Sequence, residues 1–221
     1  MNTRIVFLDQ LNRLRHDILA MSTRVEENLA KALSALRTND AELAKEVKAA
    51  DAVIDALQIK IEDENAMVIA TQQPVARDLR EMVAVFKLTH NIERIGDHAV
   101  HLAKAVIKLS KKSESPFKSQ ERLEKMVETG IEMLRASISA YLAQDAHAAR
   151  EVAAMDSKID NEHEAITEEI LKLMKKHPEH AKIAFQVLHT STQLERLGDH
   201  ITNICEAIIY MIEGRHEELN D

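Results

Sequence analysis

Chain breakers are scarce: four glycines and three prolines are spread through 221 residues. So few turn-forming positions allow only a handful of reversals, and the chain between them must run as long helices. Aromatic residues make up 3% and tryptophan is absent, which excludes an aromatic core. An aliphatic core remains, with nine methionines to fill its gaps. The single cysteine, Cys205, cannot form an internal disulfide; it reads as a small core side chain in a reducing, cytoplasmic compartment. No apolar run approaches the ~18 residues that a membrane span needs. No basic segment leads into an apolar stretch, so no secretion signal is expected. A basic surface is lacking too: the net charge is −8, which argues against a nucleic-acid partner.

What is present fits a packed helical protein. Hydrophobic residues reach 45% and charged ones 30%, enough for both a core and a polar surface. The apolar periodicity divides into six helical stretches. The first covers about 4–36, with Ile5, Leu8, Leu11, Ile18 and Val25 near one face. A turn at Asn39 and an N-cap at Asp40 open the second, which ends near Thr71. The third carries Pro74 in its first turn and runs to about Lys111. Ser119 caps a fourth, ending near Ala143, and Asp145 caps a fifth, ending near Lys176. Pro178 opens a sixth that stops near Gly214. The polar stretch from Ser113 to Pro116 is the expected linker, and connections this short force neighbouring helices antiparallel.

The two halves repeat. ERIGDH at 93–98 returns as ERLGDH at 195–200, and DAVID at 51–55 returns as DSKID at 156–160. Asp40 and Asp145 occupy matching turns, and Leu29, Leu33 and Leu36 correspond to Leu134, Ile138 and Tyr141. Several correspondences in one order indicate a duplicated unit. The expected fold is all-α: two tandem, sequence-related three-helix bundles of six long antiparallel helices, at residues 1–112 and 117–221.

The repeated segments carry the chemistry. Asp51 and Asp55 share a helix face, as do Glu93 and Asp97, although like charges four apart cost an isolated helix roughly 0.2–0.5 kcal/mol. In a hairpin folded at Pro74, Asp51 and Asp97 lie 23 residues either side of the turn, and Asp55 and Glu93 lie 19. Asp156 with Asp199, and Asp160 with Glu195, are centred in the same way between His177 and Pro178. Each half therefore stacks four carboxylates in two facing layers, on the order of 30 Å from its turn. Such oxygens suit hard cations such as Mg, Ca, Mn or iron. The alternative is a solvated acidic face; two level-matched pairs in each half favour a cation. Gly96 and Gly198 leave room for a close approach to the backbone. His98 and His200 point about 100° away from the neighbouring aspartate, which favours structural hydrogen bonding over ligation. Arg94 and Arg196 offset the acidic charge. His101 can reach the acidic face in the first half, and Glu206 can extend it in the second, where the first has Lys104.

These motifs, with QPVARDLR at 73–80, NIERIGDH at 91–98 and QLERLGDHITNI at 193–204, resemble the PhoU family of accessory regulators of phosphate-specific ABC transporters. The resemblance covers nearly the whole chain. It implies two three-helix bundles side by side, a cytoplasmic location, a homodimer and no enzymatic activity. It also implies metal on the Glu/Asp-x-x-x-Asp motifs, so the expected ligands are Asp51, Asp55, Glu93, Asp97, Asp156, Asp160, Glu195 and Asp199. The expected cofactors are divalent or ferric ions: iron, Mn, Mg or Zn. The role implied is negative regulation of phosphate uptake and starvation signalling, through the transporter and a sensor histidine kinase, with the membrane reached only through those partners. His101 and Lys104 depart from the Asn-x-x-Glu that commonly follows the motif, which argues against equal metal occupancy of the halves. Arg77 and Arg80, which lack second-half counterparts, suit either an acidic partner surface or intramolecular pairing. Two alternatives stay open: a carboxylate-metal helical-bundle enzyme, and a purely structural helical interaction protein. Against the enzyme, the sequence offers no Gly-rich phosphate loop, no Glu-x-x-His pair and no nucleophile–base arrangement.

Overall fold

The computed structural model describes residues 3–109 and 119–220. The elements among them are helices: α1 (Thr3–Thr38), α2 (Ala41–Gln72), α3 (Ala76–Leu109), α4 (Ser119–Ala143), α5 (Ala146–Ala153), α6 (Asp156–Lys176) and α7 (Ala181–Glu213), with a short 3-10 turn at Pro178–His180. The all-α expectation holds. The expected linker, Ser113 to Pro116, lies outside the described residues.

Local chemistry sets most boundaries. Asn39 and Gln144 adopt the left-handed conformation, at φ 52° and 54°. The Asp40 side chain that follows accepts hydrogen bonds from the Glu42 and Leu43 amides, and Asp145 does the same for His147 and Ala148. Each aspartate thus satisfies two amides that the new helix leaves without partners. Pro74 falls outside α3, contrary to expectation. Gln73 is left-handed and caps α2, its amide donating to the Ile69 carbonyl, and α3 begins at Ala76. A residue before proline is sterically steered away from right-handed helix, so the break falls at Gln73 and the helix restarts past the ring. The fifth expected helix is interrupted. The Met155 amide donates to Val152 and the Lys158 amide to Met155, both at 3.0 Å. These three-residue hydrogen bonds tighten the chain into a 3-10 step between α5 and α6. Asp156 consequently opens a helix, where a carboxylate is favoured by the helix dipole.

α1, α2 and α3 pack on one another, and α4, α5–α6 and α7 do the same. The two units share one aliphatic core, joined along a seam where α3 runs beside α7 and α1 beside α4. The matched positions Leu29, Leu33, Leu36, Leu134, Ile138 and Tyr141 are all buried in it, as is Cys205, whose thiol burial pushes up to about 12. The buried stripe of α1 is Phe7, Leu11, Leu14, Ile18, Met21 and Val25. Ile5 and Leu8, expected on that face, are 62% and 43% exposed because Phe7 starts the stripe instead. Ion pairs bridge the seam: Arg37 to Glu124 at 3.0 Å, Arg37 to Glu128, and Arg135 to Glu26.

Three further pairings join the halves. Arg80 donates to the Met211 carbonyl at 3.3 Å and packs against Gly214, the left-handed residue (φ 75°) that ends α7. A cation is favourable there, at a helix C-terminus. Arg77 donates to Gln144 at 2.5 Å. Intramolecular pairing thus accounts for both arginines. His200 pairs with Asn91 across the seam at 2.9 Å, the structural hydrogen bond expected of it. His98 differs: its ring is buried 5.4 Å from that of His200, and neither nitrogen has a hydrogen-bond partner among the described residues.

Burial, aided by the neighbouring His200, lowers the pKa of His98 to about 3, against an ordinary 6.5. An unfolded chain takes up that proton first. Stability is therefore complete above pH 6.5 and falls as pH drops toward 3, by on the order of 2 kcal/mol between pH 6.5 and 5 from this ring alone. His98→Gln should remove that part of the fall, shrinking the Tm difference between pH 7.5 and 5.0 by roughly 4–8 °C in thermal melts. An unchanged difference would mean that the ring is hydrated in solution.

Candidate functional site

Asp51 and Asp55 project from α2 toward Glu93 and Asp97 on α3, and Asp156 and Asp160 from α6 toward Glu195 and Asp199 on α7. Asp55 and Asp160 are exposed; the other six are half-buried. Burial raises the pKa of Asp51, and Asp55 and Asp97 raise it further. Burial likewise raises Glu93, with Asp97, Asp55 and Asp51 adding to it against Arg94. In the second half, burial followed by Asp160 and Asp199 pushes Asp156 up to about 7. Glu195 is raised by burial, Asp199 and Asp160, and Asp199 by burial and Asp160. Each half thus brings its four carboxylates into mutual repulsion, as the hairpin spacing predicts. No three of the eight bring oxygens within 4.8 Å of one another.

The two sets have different surroundings. In the first half Arg94 donates to Asp97 at 2.7 Å, and Lys104 favours the ionised form of Asp51. In the second, the carboxylates line a cleft of about 470 Å³ with His163 and Glu164, and no lysine or arginine reaches its wall. Arg196 acts on Glu195 and Asp199 from outside it. The Asp156 Oδ2 atom accepts from Thr202 at 3.3 Å, while Oδ1 is buried without a partner. Gly198 makes this position possible: a Cβ there would lie 2.0 Å from Asp156 Oδ1. A Cβ on Gly96 would meet Ile54 at 3.4 Å and Val25 at 3.6 Å, ordinary van der Waals contact. The close approach foreseen at both glycines is therefore real only at Gly198, and what approaches is the carboxylate itself.

Three features escaped the sequence reading. His163 stands three residues after Asp160 and seven after Asp156, on their helix face; a search for Asp-x-x-His would have found it. Its Nδ1 lies 3.1 Å from Ser191 Oγ, so a base and a hydroxyl do meet, but Ser191 is fully buried and donates to the Leu188 carbonyl. That geometry is a structural tie rather than an accessible nucleophile. The last described residues also fold back over the second cleft. The Leu219 amide donates to Glu206 at 2.8 Å, and Asn220 donates to Asn203 at 3.4 Å. Glu206 therefore anchors this segment instead of extending the acidic face. The His101 ring lies 5.9 Å from that of His98 in the seam, tilted by 46°.

The second cleft fits a hard cation in donor chemistry: carboxylate oxygens, one of them buried and unpaired, with no side-chain cation in the wall. The first fits less well, because Arg94 and Lys104 already supply positive charge.

Without metal, the raised pKa of Asp156 means that the folded chain holds a proton there up to about pH 7, while the unfolded chain loses it near 3.8. This contribution to stability is therefore present below about pH 4 and lost as pH rises through 7. Asp156→Asn should cancel the loss, so that in chelator at pH 7.5 the variant melts above the wild type. A lower Tm there would contradict the repulsion. Gly198→Ala should displace the Asp156 carboxylate and lower Tm, whereas Gly96→Ala should be neutral or stabilising by up to about 1 kcal/mol; equal effects would show that the close approach is not maintained.

Comparisons with known proteins follow the same geometry. The family model described as PhoU domain matches twice, at residues 18–106 and 123–208, one match in each half. A phosphate-specific transport system accessory protein PhoU homolog from Clostridium acetobutylicum is 34% identical over 220 residues, covering 99% of this chain and 100% of that relative. A homolog of the same description from Streptococcus pneumoniae is 33% identical over 211 residues, covering 96% and 97%. The crystal structure of PhoU from Pseudomonas aeruginosa superposes with a TM-score of 0.90 at 31% identity, covering 95% of this chain and all of that one. That of the phosphate transport system regulatory protein PhoU from Streptococcus pneumoniae gives 0.88 at 32% identity, covering 96% and 99%. With two family domains in tandem and close superposition on solved relatives over nearly the whole chain, the chain belongs to the PhoU family.

Proposed function

We propose that this chain is a metal-binding regulatory adaptor that restrains phosphate uptake and phosphate-starvation signalling. It acts in the cytoplasm, as a homodimer, by contact with a phosphate-specific ABC transporter and its sensor histidine kinase. The observation that carries the reading is family membership along both halves, with relatives named as accessory proteins of the phosphate-specific transport system. No described helix is long and apolar enough to cross a membrane, which supports a reading in which the membrane is reached through partners. The role needs no catalysis.

Asp156, Asp160, Glu195 and Asp199 would hold the ion in the second half, with His163 at the edge of the cleft. Asp51, Asp55, Glu93 and Asp97 would hold it in the first. The ion, as iron, Mn, Mg or Zn, supplies positive charge that offsets four carboxylates. The chain's own residues do the positioning. Thr202 orients Asp156, Gly198 gives it space, and Ser191 fixes the His163 ring. Arg94 and Lys104 compete with a cation in the first half, which makes the second the tighter site.

Titrating Mn²⁺ into untagged protein by calorimetry should reveal unequal sites. Glu195→Ala/Asp199→Ala should remove the tighter one and Glu93→Ala/Asp97→Ala the weaker. Unchanged stoichiometry in both double variants would remove the site assignment. A strain lacking the gene, with no second copy, should express a starvation-induced phosphatase even in abundant phosphate. Normal repression in that strain would refute the regulatory reading.

A further inference from the structure

The turn between α6 and α7 reads HPEH, and its three polar side chains converge. His177 Nδ1 lies 3.0 Å from Glu179 Oε1, and His180 Nε2 lies 3.9 Å from the same oxygen. The two rings are 5.9 Å apart. One ligand atom from each residue falls within 4.8 Å of the other two, and this is the only such trio of His, Cys, Asp or Glu among the described residues. Ligands about 2.0 Å from a tetrahedral centre are separated by roughly 3.3 Å, a spacing that the two measured distances bracket.

The local backbone gives these histidines no other task. His177 ends α6 and stands at the N-cap of the 3-10 turn, and His180 stands at the N-cap of α7. Neither makes a side-chain capping hydrogen bond. Asp, Asn, Ser or Thr would each cap better. The chain places such caps at Asp40 and Asp145, whereas His177 and His180, like Met155 at the start of α6, supply none. Pro178 fixes the backbone between the two rings. Lys175 and Lys176, in the last turn of α6, and Lys182, in the first turn of α7, are the nearest opposing charges in sequence. A set of two neutral imidazoles and one carboxylate tolerates them better than an all-carboxylate site would, because imidazole–metal bonding does not depend on net charge alone.

We infer that His177, Glu179 and His180 form a surface site for a divalent transition ion of the zinc class, separate from the carboxylate clefts. It lies about 21 residues of helix from Asp156, on the order of 30 Å away. Two nitrogens and one oxygen select zinc, nickel, cobalt or copper over magnesium or calcium. Three protein ligands leave at least one coordination position open to water or to a donor from another molecule. The inference does not rest on the regulatory reading and fails or stands apart from it.

The test uses untagged full-length protein stripped with chelator and titrated with Zn²⁺ by calorimetry at pH 7.5, with Co²⁺ absorption as a probe of geometry. The wild type should bind a Zn²⁺ equivalent that persists in Asp156→Asn/Asp199→Asn. His177→Ala/His180→Ala should weaken that equivalent by at least about tenfold and abolish the Co²⁺ spectrum, with unchanged circular dichroism. Glu179→Gln should weaken it less, and Mg²⁺ binding should not respond to either change. Lowering the pH to 5.5 should also weaken it, as protons compete for the imidazoles. Absence of Zn²⁺ binding by the wild type, or unchanged Zn²⁺ stoichiometry and affinity in the folded histidine double variant, would overturn the inference.

Discussion

The packing of α3 against α7 organises the molecule. Each of these helices closes a three-helix unit and also forms the seam to the other unit, so it must be apolar on two faces. Ile92, Ile95, Ala99, Leu102 and Val106 on α3, and Leu194, Leu197, Ile201, Ile204 and Ile208 on α7, are all buried. At about 1.5–3 kcal/mol for each large aliphatic side chain, their burial outweighs any single polar contact in the seam. The remaining strip of each helix is where Glu93, Asp97, Glu195 and Asp199 stand. The carboxylate sets lie where they do because the seam leaves them one outward strip on a helix otherwise enclosed.

That enclosure explains why the carboxylates repel. Partial burial withdraws the water that would screen four like charges, and the hairpin brings them level. An acidic patch on an isolated hairpin would relax into solvent. Here the aliphatic core holds α2 to α3 and α6 to α7, and the repulsion persists as raised pKa values in both halves.

The duplicated motif nevertheless makes two different sites. Arg94 and Lys104 partly neutralise the first. The second has lost the lysine; its counterpart, Glu206, binds the returning chain at Leu219. The 3-10 step at Ala154 and Met155 places Asp156 at a helix start, against Gly198 and beneath Thr202. In the first half Asp51 lies inside an unbroken α2. Similar sequence at the motif thus meets unequal backbone and unequal neighbours.

Much of this was legible in the residues. Sparse glycine and proline implied long helices, Asp40 and Asp145 marked their caps, and the repeat with its distances from the two turns paired the carboxylates across each hairpin. These features are local or depend on distance along the chain, which helical geometry converts directly into position. Other features depend on which surfaces meet after folding. The start of α3 past Pro74, the break before Asp156, and the exposure of Ile5 and Leu8 follow from how each arm seats on the core. The His98–His200 contact joins residues about a hundred positions apart, and so does that of Arg80 with the end of α7; the segment over the second cleft is fixed by a return of the chain that no periodicity marks. Periodicity reports the face that a helix hides, not the partner that it hides against. By itself the sequence determined the helices, the duplication and the facing carboxylates; only the tertiary structure decided which surfaces of the halves touch, which charges stay unpaired and which cleft has no cation in its wall, because those outcomes are set by packing between segments that no local pattern connects.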